Sequence, residues 1–242
     1  MKKQQFIIAF ILILFCHSYM LYASQTPTTD PLSKKESGLV TIAATTAKGD
    51  LTKLKDALNK GLDAGLTSNQ IKESIIHLYA YAGFPRSIRG LQTLMSVFEE
   101  RRAKGINDPT GADASPIHND QPKYERGKAI LEQLTGVPEK DPKTGYAAFA
   151  PTIEIFLKEH LFADIFERDV LTYAERELVT ISILASLGGV EPMLKSHLTI
   201  CLNVGLSEGQ LQQFISIIES TVGKKQAVEA QKILDEVLAS RK

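Results

Sequence analysis

No tryptophan occurs anywhere in the 242-residue chain, and aromatic residues make up only 7% of it. Strand-rich folds draw on aromatic and β-branched side chains, so the shortage points to packing among Ala- and Leu-rich helices. Net charge is missing too. The 28 basic and 28 acidic residues cancel and are spread along the chain without a basic block. Nucleic-acid binding therefore has no electrostatic footprint here. Cysteine is scarce, with Cys16 and Cys201 alone, which excludes a disulfide framework of several bridges. A long apolar run is also lacking. Phe6 to Phe15 is the nearest approach, and it is too short and too soon followed by polar residues to read as a membrane span.

That run has a different reading. Met1-Lys2-Lys3 supplies a basic start, the apolar stretch follows, and Tyr22-Ala23-Ser24 offers small residues for cleavage. Together they read as a secretory signal peptide over residues 1–24, with an uncleaved anchor as the other option. Phe15 is not the small residue that a lipoprotein signal needs before Cys16. The expected address is periplasmic or secreted, with no membrane association once the segment is removed. Cleavage leaves Cys201 as the lone thiol.

What is present is helical periodicity with clear punctuation. Residues 25–36 are Thr-, Pro- and Ser-rich and read as a flexible entry segment. From Gly38 the chain turns helical, and Leu51, Leu54, Leu58 and Leu62 then share one stripe. Gly65 ends that helix, and Thr67 with Gln70 forms a capping box for the next, about 68–81. After Gly83-Phe84-Pro85 another helix runs to about Lys104. Residues 105–123 are a polar linker containing Pro and Gly.

The densest pattern lies between Arg176 and Val204: a helix, a Gly188-Gly189 break, and a second helix closed by Gly205. Val190, Met193, Leu194, His197, Leu198, Cys201 and Val204 recur at three- and four-residue steps on the second helix. An apolar stripe thus carries an imidazole and a thiol one turn apart. On pattern alone this fits a satisfied core histidine as well as a working one.

The chain also repeats itself. LVTIAA at 39–44 answers LVTISI at 178–183, GLTSNQI at 65–71 answers GLSEGQL at 205–211, and Gly83 answers Gly223. One copy alone would leave an apolar face exposed, so the two are expected to pack on each other about a pseudo-two-fold axis.

The spacing EREL, then Gly, Glu, Leu, His197, Cys201 and GLS with QL, resembles the carboxymuconolactone decarboxylase family, which includes the alkylhydroperoxidase D type. The stretch from Phe162 to Leu178 resembles that family's lead-in, matching at Phe162, Asp164, Phe166, Arg168 and Leu171. The resemblance implies an all-α fold of two tandem alkylhydroperoxidase D-like repeats, 37–104 and 124–240. It implies a Glu and a His facing a small pocket, here Glu177 and His197, as the catalytic pair. Val190, Met193 and Cys201 would line that pocket. The first copy has Gly38 and Ala57 in place of the pair but keeps His77 and Tyr81 in a segment resembling the other pocket wall. A composite pocket explains the division, and drift in a duplicated scaffold is the alternative. The peroxidase branch carries a Cys-x-x-Cys pair where this chain has Val190 and Met193.

The implied activity is acid/base proton transfer on a small lactone or carboxylic acid, in the manner of a carboxy-lyase and without metal or other cofactor. The partners expected are a small-molecule substrate and further copies of the chain, a trimer foremost. Ring-cleavage pathways for aromatic acids are normally cytoplasmic, so an exported address widens the substrate class to other small acids and carbonyl compounds. Two alternatives stand beside it. One is peroxiredoxin-type antioxidant activity, which with Cys201 alone needs an accessible thiolate. The other is a non-catalytic helical small-molecule binder. Two further histidines read as surface groups: His118 in the linker, and His160 paired with Asp164 four residues on.

Overall fold

The computed structural model describes residues 31–241, so the signal-peptide reading of residues 1–24 lies outside it. Helices account for all the regular structure among the described residues. The first unit is α1 (Lys34–Lys48), α2 (Leu51–Asp63) and α3 (Ser68–Ala103). The second is α7 (Tyr173–Leu187), α8 (Glu191–Asn203), α9 (Glu208–Thr221) and α10 (Lys224–Ala239). Between them come α4 (Lys123–Thr135), α5 (Gly145–Phe149), α6 (Pro151–Phe156) and a π-helical segment, Leu157–Ile165.

Local chemistry sets the ends of these helices in the same way in both units. Ser33 with Glu36 and Thr172 with Glu175 are capping boxes that open α1 and α7. Thr67 with Gln70 and Ser207 with Gln210 do the same for α3 and α9. Each box satisfies backbone donors that the first helical turn leaves unpaired. The Ser33 box starts α1 at Lys34, four residues ahead of Gly38, because a polar entry segment can still supply a cap.

Gly83 interrupts α3 with φ 80° and ψ 162°, and Gly223 separates α9 from α10 with φ 142° and ψ 164°. Only glycine enters that region without strain. Pro85 follows two residues after Gly83, where the opening turn of the second arm has no use for its missing N–H. Both units thus bend at the same place.

The two units share their cores by exchanging equivalent residues. Val40 and Ala44 of α1 are fully buried in the core built by α7 to α10. Their counterparts Val179 and Ile183 of α7 are buried in the core built by α1 to α3. Leu32 and Leu171 cross over in the same manner. Adjacent positions Leu39, Ile42, Leu178 and Ile181 stay at home. Each first helix is therefore apolar on two faces, one for its own unit and one for its neighbour. Two tandem repeats packed on each other follow directly.

The middle segment forms a third core from Ile130, Leu134, Leu161, Phe162, Ile165 and Phe166, closed by Ile200 of α8. Gly127 lets α4 lie against the π-helical segment. A Cβ there would overlap the Lys158 carbonyl oxygen. Lys158 is itself buried, with its ammonium held by Glu154 and by Glu139 at 2.6 Å. The linker is polar but tied down: Pro109 and Thr110 carbonyls accept from the Ser68 and Asn69 amides at 2.9 Å, and Asp108 pairs with Arg101. No helix among the described residues is long and apolar enough to cross a membrane.

Candidate active site

Three helices aim polar side chains at one point in an otherwise apolar interior. Glu73, His77 and Tyr81 lie at successive four-residue steps on the first arm of α3, so they share a face. Arg176, Glu177 and Thr180 come from the opening turns of α7. His197 and Cys201 come from α8. Tyr81 packs against all three hydrophobic cores, which puts the cluster where the two units and the middle segment meet.

The shortest contact in this group joins the predicted pair. His197 Nδ1 lies 2.7 Å from Glu177 Oε2. Glu177 is fully buried, and the His197 side chain retains 13% of its accessible surface. A carboxylate accepts at that distance, so Nδ1 carries the hydrogen and Nε2 is turned away from the acid. Glu177 Oε1 has no hydrogen-bond partner among the described residues. A buried carboxylate oxygen without a partner is costly, and such exceptions concentrate where a ligand or a reacting group completes the shell.

Tyr81 stands edge-on to the His197 ring, with centroids 5.9 Å apart, and 5.4 Å from the His77 ring. Burial, and then the negative charge of Glu177, push the phenol far above its ordinary range. It stays a neutral hydroxyl. His77 is completely buried behind it, and burial followed by the Arg176 and His197 charges holds its imidazole well below 6.5. Its Nε2 is 2.8 Å from Thr180 Oγ1 and its Nδ1 is 3.3 Å from Arg176 Nη1. Glu73 neutralises the guanidinium at 2.8 Å and also pairs with Arg168 at 3.0 Å.

Cys201, one turn past His197, is buried, and desolvation together with Glu177 drives its thiol well above the ordinary value. A thiolate is disfavoured there. The remaining expected wall residues divide. Val190 lines a cavity of about 10 Å³ between α7, α8 and α10 with Leu184, Leu194 and Ile233, room for about one water. Met193, one turn before His197 on α8, is 52% exposed. A helical wheel gives a residue's direction but not its cover, and no described element covers the first turn of α8 on that side.

The pseudo-equivalent location in the other half is filled. Gly38 replaces Glu177, and a Cβ there would already stand 3.2 Å from Leu66 Cδ1. Ala57 replaces His197 and is buried. Among the described residues the polar cluster of this kind is therefore assembled from both copies.

Glu73, Arg176 and Thr180 were not singled out from the sequence, and Arg168 was noted only as a pattern match. The available signal was the i, i+4, i+8 spacing of Glu73, His77 and Tyr81 on an apolar helix. His160 and Asp164 meet at 3.2 Å on the surface, with Lys123 2.8 Å from the same carboxylate. His118 is exposed in the linker.

This arrangement can be set beside known proteins. The profile of the carboxymuconolactone decarboxylase family matches two segments, residues 17–94 and 151–236. The chain belongs to the carboxymuconolactone decarboxylase family. One curated relative, the 4-carboxymuconolactone decarboxylase of Acinetobacter baylyi, is 26% identical over 98 residues, spanning 40% of this chain and 72% of that one. The double match agrees with the two exchanged units. In this carboxymuconolactone decarboxylase-like protein the second match contains Glu177 and His197, and the first contains His77 and Tyr81.

Proposed function

We propose that the protein catalyses decarboxylation of a small lactone or carboxylic acid by proton transfer from His197. The observation that carries this reading is the 2.7 Å bond from His197 Nδ1 to the buried Glu177 carboxylate. A carboxylate on Nδ1 fixes the ring and turns Nε2 away from the acid, so that in the proposed step a protonated His197 donates from Nε2. In the proposed step the C–C bond to the carboxylate breaks and carbon dioxide leaves. The electron pair stays on the substrate carbon skeleton, and the Nε2 proton moves to carbon. Solvent then returns a proton to the imidazole. Tyr81 supplies a neutral donor for charge that develops on a substrate oxygen.

The buried Cys201 and the Val190 and Met193 substitutions at the redox-pair positions support proton transfer over thiol peroxidase chemistry. The test is carbon dioxide release from γ-lactone carboxylic acids by wild type and His197→Ala. Wild type should release it, and the variant should lose about 100-fold or more. Release that survives His197→Ala, or no release from wild type across a panel of such acids, rejects the reading. Absence of turnover together with tight binding of those acids would favour a small-molecule binder. Export to a periplasm is also proposed, on the basic and apolar pattern of residues 1–24. Cell fractionation with an intact-mass measurement of the mature N-terminus tests it.

A further inference from the structure

Arg176 can only donate hydrogen bonds. Its Nη1 lies 3.3 Å from His77 Nδ1, so that nitrogen must offer its lone pair. The His77 hydrogen is then on Nε2, directed at Thr180 Oγ1 at 2.8 Å. Thr180 has one hydrogen of its own and two oxygens within reach: the Arg176 backbone carbonyl at 2.9 Å and the Tyr81 phenol at 3.4 Å. Every hydrogen up to Thr180 is assigned by the chemistry of a single cation. Glu73 holds that cation and is itself held by Arg168.

We propose that Arg176, His77 and Thr180 form a directional hydrogen-bond chain that positions the Tyr81 hydroxyl as a neutral donor to the substrate. His77 is a positioning residue and does not touch substrate, because it is fully buried behind Tyr81. Thr180 is the adjustable link. When its hydrogen turns from the Arg176 carbonyl to the phenol oxygen, the phenol hydrogen is released toward the site shared with His197. The groups facing His77 are Arg176 and, through it, Glu73, together with Tyr81 and His197. A protonated His77 would oppose the guanidinium, so the chain works only with a neutral ring.

The inference rests on the proton-transfer reading, but its test separates the two. Nitrogen-15 spectra of histidine-labelled full-length protein, with the His77 signal assigned by its loss in His77→Gln, report the tautomer directly. A single Nε2–H tautomer that does not titrate between about pH 5 and 8 is expected. Thr180→Val, which removes the hydroxyl but keeps the shape, should leave the Nε2–H tautomer that Arg176 sets and shift the His77 Nε2 signal, because its acceptor is gone. On a γ-lactone acid, Thr180→Val and His77→Phe should each lower kcat by roughly tenfold or more, with KM within about twofold. His77→Gln should retain most of the rate, because its amide can still donate to Thr180. A His77 that carries its hydrogen on Nδ1, or a Thr180→Val variant with unchanged His77 signals, overturns the chain. If wild type turns over none of the acids, the proposed reaction falls and the spectra still decide the chain.

Discussion

At the scale of single residues, a buried neutral histidine leaves a signature in stability. His77 stays unprotonated in the folded protein well below 6.5, whereas in the unfolded chain it takes up a proton near that value. Below about pH 6.5 the unfolded state therefore binds more protons, and stability falls as pH drops toward the folded pKa. Urea titrations should show this group contributing a slope of up to about 1.4 kcal/mol per pH unit in that window. His77→Gln should flatten the slope. An unchanged profile in the variant would show that other groups set it. Cys201 gives a second expectation at this scale. Its thiol is buried and pushed up by desolvation, so a thiol reagent should leave the folded protein unlabelled and modify Cys201 promptly in denaturant. Rapid labelling of the native protein would reopen a thiol mechanism.

Whole elements owe their placement to close approaches that one atom can undo. The middle segment reaches the site only because α4 and the π-helical segment touch through Gly127, where a Cβ would overlap the Lys158 carbonyl. Gly127→Ala should cost about 1–3 kcal/mol in urea denaturation, since neither backbone can give way cheaply. A neutral Gly127→Ala would show that the contact is loose. The π-helical segment could not be read beforehand. Periodicity marked the region as helical, but a switch to i→i+5 bonding, such as Phe166 N–H to Leu161 O at 3.0 Å, leaves no mark on apolar spacing. The breaks at Gly83 and Gly188 and the Thr67–Gln70 capping box were legible in the sequence. Each depends on residues within a few positions of one another.

For the whole molecule, exchange of Val40 and Ala44 for Val179 and Ile183 makes the two units interdependent. Neither can close its core without the other's first helix. Thermal or urea unfolding should therefore be one cooperative transition, with far-ultraviolet dichroism and tyrosine fluorescence superimposing. Two separated transitions would mean that the units stand alone. A surface feature supports a further proposal. Phe149 is 93% exposed, Phe156 60%, Ile153 53% and Met193 52%, an amount of exposed apolar side chain that association would relieve. We propose self-association, with a trimer foremost. Light scattering at micromolar concentration should return a mass above the 26.6 kDa of one full chain. A monomer mass would remove the proposal.

The sequence by itself determined the all-α class, the duplication, several glycine breaks and the candidacy of Glu177 and His197. All of these rest on spacing along the chain, and apolar period, glycine and capping chemistry are local properties. Only the tertiary structure decided which copy meets which. It brought Glu177 within 2.7 Å of His197 and Tyr81 across from the other copy. It also drew in Glu73, Arg176 and Thr180 and left Met193 half exposed. A buried charge can persist only beside its partner, and for Arg176 that partner is Glu73, about a hundred residues away. Such pairings are made by packing the units together, and nothing in the local pattern of either segment announces them.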